Sequence, residues 1–239
     1  METPVNAPLK EKFRLEIAKL REMSFKEKLE HIWEYYKFFI FGLVIILVIS
    51  GSLINSLLIN PQPQTALHIS WNSGFIMHEQ LTGLSDVLTA RLIDEAKNET
   101  IVVSLSLTSA DDPSIEMANQ QRLIAMLAAG ELDVFIVDEA LLEEYSSFGF
   151  IQPLENLLED IRLIDPVVYE EIKDKVAYAK IEPEEGVFEE RLMGVNITGC
   201  PLLTELGLLE FLESDLFFSL SATSQRQEKA AGAIIAFFE

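Results

Sequence analysis

The chain has 239 residues, with 18 Lys and Arg against 39 Asp and Glu, a formal net charge of −21 and a 49% share of hydrophobic residues. That length supports one domain with an appendage, and a mean hydropathy of +0.22 is high for a protein soluble throughout. The negative balance opposes nucleic acid, anionic lipid and phosphate-rich ligands, and the single cysteine, Cys200, leaves no intramolecular disulfide.

Residues 8–22 place Leu9, Phe13, Ile17 and Leu20 at helical spacing among charges, which predicts an amphipathic helix. Ser24-Phe25-Lys26-Glu27 then has the capping-box pattern that starts a second helix, with Phe25, Leu29, Ile32, Trp33 and Tyr36 on its apolar face. Residues 1–37 form a segment of their own, read as a surface helix on the inner leaflet or a contact for a partner protein.

Residues 38–59 are without charge, and these 22 residues make about 33 Å of helix at about 1.5 Å each, enough for a hydrocarbon core of about 30 Å. The spacing predicts a transmembrane helix, with Trp33, Tyr35 and Tyr36 at headgroup depth. A cleaved signal is disfavoured by the charged stretch before the run and by its resumption at Leu53 and Ile54 after Ser50-Gly51-Ser52. Of the 18 Lys and Arg, eight precede the run, and the first one after it is Arg91; 32 of the 39 acids also follow it, leaving that part at net −22. The positive-inside rule therefore predicts a cytoplasmic N-terminus and an extracytoplasmic C-terminal domain in the cell membrane. A cysteine-poor exported domain suits a bacterial envelope protein.

Residues 60–64, with Pro61 and Pro63, read as an extended linker of about 15 Å, which would hold the following domain, 65–239, near the bilayer. Within that domain, strand and helix patterns alternate. Strands are predicted at 67–71, 101–107 and 133–137, and helices at 77–97 and from Asp112-Pro113 to Gly130. Strands joined by helical crossovers imply an α/β fold with a mostly parallel sheet. Farther on, helices are expected at 139–147, 154–158, 169–174 and 201–207. A hairpin pairs 176–181 with 187–195, a strand spans 215–221, and a closing helix covers 225–238.

The run Leu123-Ile124-Ala125-Met126-Leu127-Ala128-Ala129-Gly130-Glu131-Leu132-Asp133-Val134-Phe135-Ile136-Val137, followed by Gly149-Phe150-Ile151-Gln152-Pro153-Leu154, resembles extracellular solute-binding proteins of bacterial ABC transporters. Residues 191–206 look like that family's returning strand, and 215–237 like its late strand and helix. The resemblance implies one full lobe of a periplasmic-binding-protein fold, while 160–186 leaves room for only a reduced second lobe. The Trp33-Glu34-Tyr35-Tyr36 entry to a single span is also similar to uncharacterised envelope proteins of Gram-positive bacteria.

Ligands of open parallel sheets bind beyond the carboxyl ends of the strands. Those ends are Trp71-Asn72-Ser73, Thr108 to Asp111 and Asp138-Glu139, with Asn196 and Thr198 near them. The candidate ligand-binding residues are Trp71, to stack on a sugar or apolar group, and Asn72, Asp138 and Asn196, to hydrogen-bond. Against this stand structural roles: Trp71 in the core, Asn72 in a turn and Asp138 as a helix cap. His31, His68 and His78 lack a metal-ligand pattern, and no phosphate loop or nucleophile elbow occurs, so no catalytic residue, metal or cofactor is assigned. The expectation is a non-enzymatic, membrane-anchored interaction module that is an accessory subunit of a membrane or envelope complex. The alternatives are a tethered receptor for a small neutral or cationic solute and, more distantly, an extracytoplasmic enzyme.

Overall fold

A computed structural model of the chain describes residues 24–56, 61–74, 76–94, 96–106, 113–184, 186–208 and 214–239. It separates into two compact units, Met1–Gln62 and Pro63–Glu239. The helix expected at 8–22 lies outside the described residues.

The first unit is built on helix α1, Phe25–Ile54, 30 residues without a break. Its start is fixed by the capping box: Glu27 N–H donates to Ser24 Oγ, and Ser24 N–H donates to Glu27 Oε2. Amphipathic entry and apolar run are thus one helix. Its stretch Lys37–Ile54 is long and apolar enough to cross a membrane, and none of that stretch is buried within the protein. The edge of the Trp33 ring meets Phe41 two turns on, with centroids 6.1 Å apart.

The second unit holds a single sheet of seven strands. β1 (Gln64–Trp71), β2 (Glu99–Leu105) and β3 (Val134–Val137) are followed by β4 (Ile151–Gln152), β5 (Val176–Glu184), β6 (Val187–Asn196) and β7 (Phe217–Ser221). The order is β2-β1-β3-β7-β6-β5, with β4 paired to β7. Strand β1 begins at Gln64, so it absorbs the last residue assigned to the linker.

The sheet is mixed, which corrects the expectation of a mostly parallel one. β1 is parallel to β2 and β3, whereas β7 is antiparallel to β3, β4 and β6, and β5 to β6. The helices α2 (His78–Leu92) and α3 (Pro113–Ala128) supply the crossovers that parallel pairing requires. After β3 the connections change character. The turn between β5 and β6 is too short for a crossover and permits only a hairpin, while β7 enters between β3 and β6 running the other way.

Alternation along the strands sends two sets of side chains to opposite faces. Leu67, Ile69, Trp71, Val134, Ile136 and Phe218 pack with residues of α2, α5 (Glu155–Ile164), α6 (Pro166–Ile172), α7 (Pro201–Glu205) and α8 (Gln227–Phe238). Phe135, Val137, Met193 and Phe217 pack on the other face with α3 and with α4 (Glu139–Ser147). Helix α3 ends at Ala128, two residues before the Gly130 expected to stop it, whose φ of 65° is the left-handed conformation that glycine adopts without strain.

Candidate functional site

Three parallel strands in the order β2-β1-β3 place the reversal of strand order at β1. The first candidates lie at its carboxyl end. Because β6 is antiparallel to β7, and β7 to β3, the end of β6 reaches this same edge. Trp71, Asn72, Asp138 and Asn196 therefore share one edge of the sheet. Asn196 stands apart from Val137 by the width of β7, since both are in register with Phe217.

Trp71 has none of its surface exposed, and its indole Nε1–H donates to the Ser73 carbonyl. The ring belongs to the core face of β1. Asn72, 6% exposed, accepts at Oδ1 from Ser70 Oγ (2.6 Å) and donates from Nδ2 to Tyr145 Oη (3.0 Å). Its backbone N–H donates to the Ile136 carbonyl, so it extends the β1–β3 ladder by one residue. Asp138 caps α4 by accepting from Leu141 N–H at Oδ1 (2.9 Å), and its Oδ2 accepts from Ser73 Oγ (3.3 Å). Asn196 accepts from Thr198 N–H in an Asx turn (2.8 Å). Thr108, Ser109 and Asp111 lie outside the described residues.

Asn72 and Tyr145 form the buried polar centre of this edge. Burial pushes the Tyr145 phenol up to about 12, against the opposing effect of the Asn72 amide bonded to it. Its ring also packs edge-on to Phe135, 5.3 Å between centroids, which fixes α4 against β3.

Sequence reasoning missed a second polar group, on the α3 face of the β1–β2 pair. His68 and Ser70 of β1 share that face with Ser104 and Ser106 of β2 and its continuation, with Ser70 in register with Ser104. His68 Nε2 lies 2.8 Å from Ser104 Oγ, and its Nδ1 lies 3.1 Å from the Glu131 carbonyl. Arg122 of α3 closes a crevice of about 10 Å³ over Ser70, Ser104 and Ser106. The signal was available in the polar residues at alternate positions 68, 70, 72 and 104, 106, where a strand covered on both faces carries aliphatic ones.

A third polar group lies at the opposite end of β3. Asp133, 1% exposed, accepts from His68 N–H (2.9 Å), Ser224 Oγ (2.8 Å) and Arg226 Nη1 (2.7 Å). A buried carboxylate with three donors ties β1, β3 and the start of α8 together. No group of three His, Cys, Asp or Glu able to hold a metal occurs among the described residues. No family model, curated protein or solved structure matches the chain.

Proposed function

We propose that the chain is a single-pass membrane protein whose acidic α/β domain lies outside the cell and serves as an interaction module, an accessory subunit of a membrane or envelope complex. The observation that carries this reading is α1, a capped helix of 30 residues whose Lys37–Ile54 stretch is wholly unburied. Seventeen apolar or small side chains in a row without a covering layer are stable in lipid and unstable in water. Orientation is supported by the eight Lys and Arg before the run and the net −22 after it.

Interaction is preferred to solute capture because the residues best suited to hold a solute are already engaged. Trp71 is in the core, Asn72 is bonded at both ends of its amide, and Asp138 caps a helix. On this reading the resemblance to solute-binding proteins concerns the scaffold and not a ligand site. In a Cys200→Ser background, a membrane-impermeant maleimide should label Thr223→Cys in intact cells and Glu30→Cys only after permeabilisation. The opposite pattern would overturn the orientation. Calorimetry of the full chain in detergent against sugars, peptides and polyamines should give no heat. Micromolar binding of any one that is lost in Asn72→Ala would replace the accessory reading with the tethered receptor.

A further inference from the structure

The crevice on the α3 face has the donors for an anionic head group and a built-in dependence on a proton. Arg91, Arg162, Arg191 and Arg226 each pair with a carboxylate, whereas Arg122 pairs with none among the described residues. It stands at the rim of a space lined by Ser70, Ser104 and Ser106, with Leu123 and Met126 beside it. About 10 Å³ admits one small polar group, the size of a water or the end of a carboxylate. A planar guanidinium with neighbouring hydroxyls matches the two oxygens of such a group.

Ser70 already gives its proton to Asn72 Oδ1, and the Ser104 hydroxyl is controlled by His68. A carbonyl only accepts, so the contact with Glu131 O assigns the ring proton to Nδ1. The neutral ring then accepts at Nε2 from Ser104 Oγ, and the only hydroxyl proton of Ser104 is committed away from the crevice. A second ring proton reverses that bond: Nε2–H donates to Ser104, whose own proton is released to donate to whatever occupies the crevice. The ring's surroundings favour the neutral form. Burial is the largest influence and favours the neutral form, the Arg122 charge adds to it, and Glu131 and Asp133 oppose it. Asp133 is itself held by Arg226. A carboxylate set against Arg122 offsets the one cationic neighbour that disfavours charge on the ring.

We propose that the crevice beside Arg122 binds the carboxylate of a small monocarboxylic acid, and that binding draws one proton onto His68, so that anion and proton are taken up together. The uptake is electroneutral, which reconciles it with a domain whose overall charge repels polyanions. The inference stands apart from the anchoring and partner readings, since it concerns only the β1–β2–α3 face.

The test uses the full chain in detergent micelles with ring-labelled histidine, the His68 signal being assigned by its loss in His68→Gln. In acetate, compared with an equal concentration of chloride, the His68 titration midpoint should rise by about half a pH unit, which by linkage means about threefold tighter acetate binding to the charged ring. Arg122→Gln should abolish the rise while His68 still titrates, and Ser106→Ala should reduce it. Arg122 is exposed, and unchanged urea midpoints would show that these variants fold. A midpoint that ignores acetate overturns the proposal, as does a rise that survives in Arg122→Gln. An equal response to inorganic phosphate overturns the carboxylate assignment, because it would report general screening.

Discussion

Trp71 separates a core residue from a ligand platform. Its side chain is fully buried against the α2 and α8 side of the sheet, so truncation to alanine removes an indole from a close-packed site and leaves a cavity. Tryptophan-to-alanine changes in cores cost about 3–5 kcal/mol, a large part of the roughly 5–15 kcal/mol that holds a domain folded. Trp71→Phe keeps most of the packing but loses the Nε1–H bond to the Ser73 carbonyl, leaving that acceptor unpaired at a cost of about 1–3 kcal/mol. The assay is urea unfolding of the full chain in detergent, followed by circular dichroism. The chain has two tryptophans, and Trp33 is 59% exposed, so Trp33→Phe isolates the emission of Trp71. That emission should be blue-shifted and resist quenching by iodide until the domain unfolds. A stability loss below about 1 kcal/mol in Trp71→Ala, or ready quenching by iodide in the folded state, would refute the burial argument and return the ring to a ligand cleft.

Two glycines test packing in opposite senses. A Cβ on Gly194 of β6 would lie 3.2 Å from Phe217 Cβ and 3.3 Å from both Leu142 methyls, so Gly194→Ala should cost about 1–3 kcal/mol. On Gly232 of α8 the near atom is the mobile Leu92 Cδ2 at 3.2 Å, and the roughly 1 kcal/mol of helix propensity gained should leave Gly232→Ala within about 1 kcal/mol of the parent in the same urea assay. Tyr145 has its folded-state phenol raised to about 12 from an ordinary value near 10, so its contribution is complete below pH 10 and lost as pH rises toward 12. Unfolding free energy measured across that window should fall in the parent and remain flatter in Tyr145→Phe, with phenolate absorbance tracking the loss. Cys200 is buried and its thiol is pushed up to about 11 by that burial, so it should ignore an aromatic disulfide reagent in the folded chain and react completely in urea.

The parts of this fold legible in the sequence are those set by local periodicity and caps. Ser24 to Glu27 announced the start of α1 and Gly130 the end of α3, and the hairpin of β5 and β6 followed from the turn around Gly186. Strand direction in the second half was not legible, because pairing of β7 with β3 joins residues about eighty positions apart and leaves no mark at either. Position 71 is instructive in the same way. A tryptophan at a strand's carboxyl end satisfies both a stacking platform and a core side chain, and the choice is made by α2 and α8, which arrive from elsewhere in the chain. The site residues differ in this respect. Asp138 as a helix cap needs only its neighbours and could be read locally, whereas the bond from Asn72 to Tyr145 spans 73 positions and could not.

Long-range hydrogen bonds also explain how β1 carries polar side chains on one of its faces. The core face of β1 and β3 is Leu67, Ile69, Trp71, Val134 and Ile136, but the opposite face of β1 is His68, Ser70 and Asn72. Burying those three under α3 and α4 is tolerable only because each has a fixed partner: Ser104 and the Glu131 carbonyl for His68, Asn72 for Ser70, Tyr145 for Asn72. Aliphatic residues would have supplied the same packing without needing partners. The polar row runs from Asp133, which accepts the His68 backbone N–H, to Asp138, which accepts from Ser73, so it links the two ends of β3 through β1. Arg226 holds one end and Arg122 overlooks the middle. A change of proton at His68 therefore acts directly on Ser104, which lies in register with Ser70, whereas the aliphatic face behind it has no means of responding.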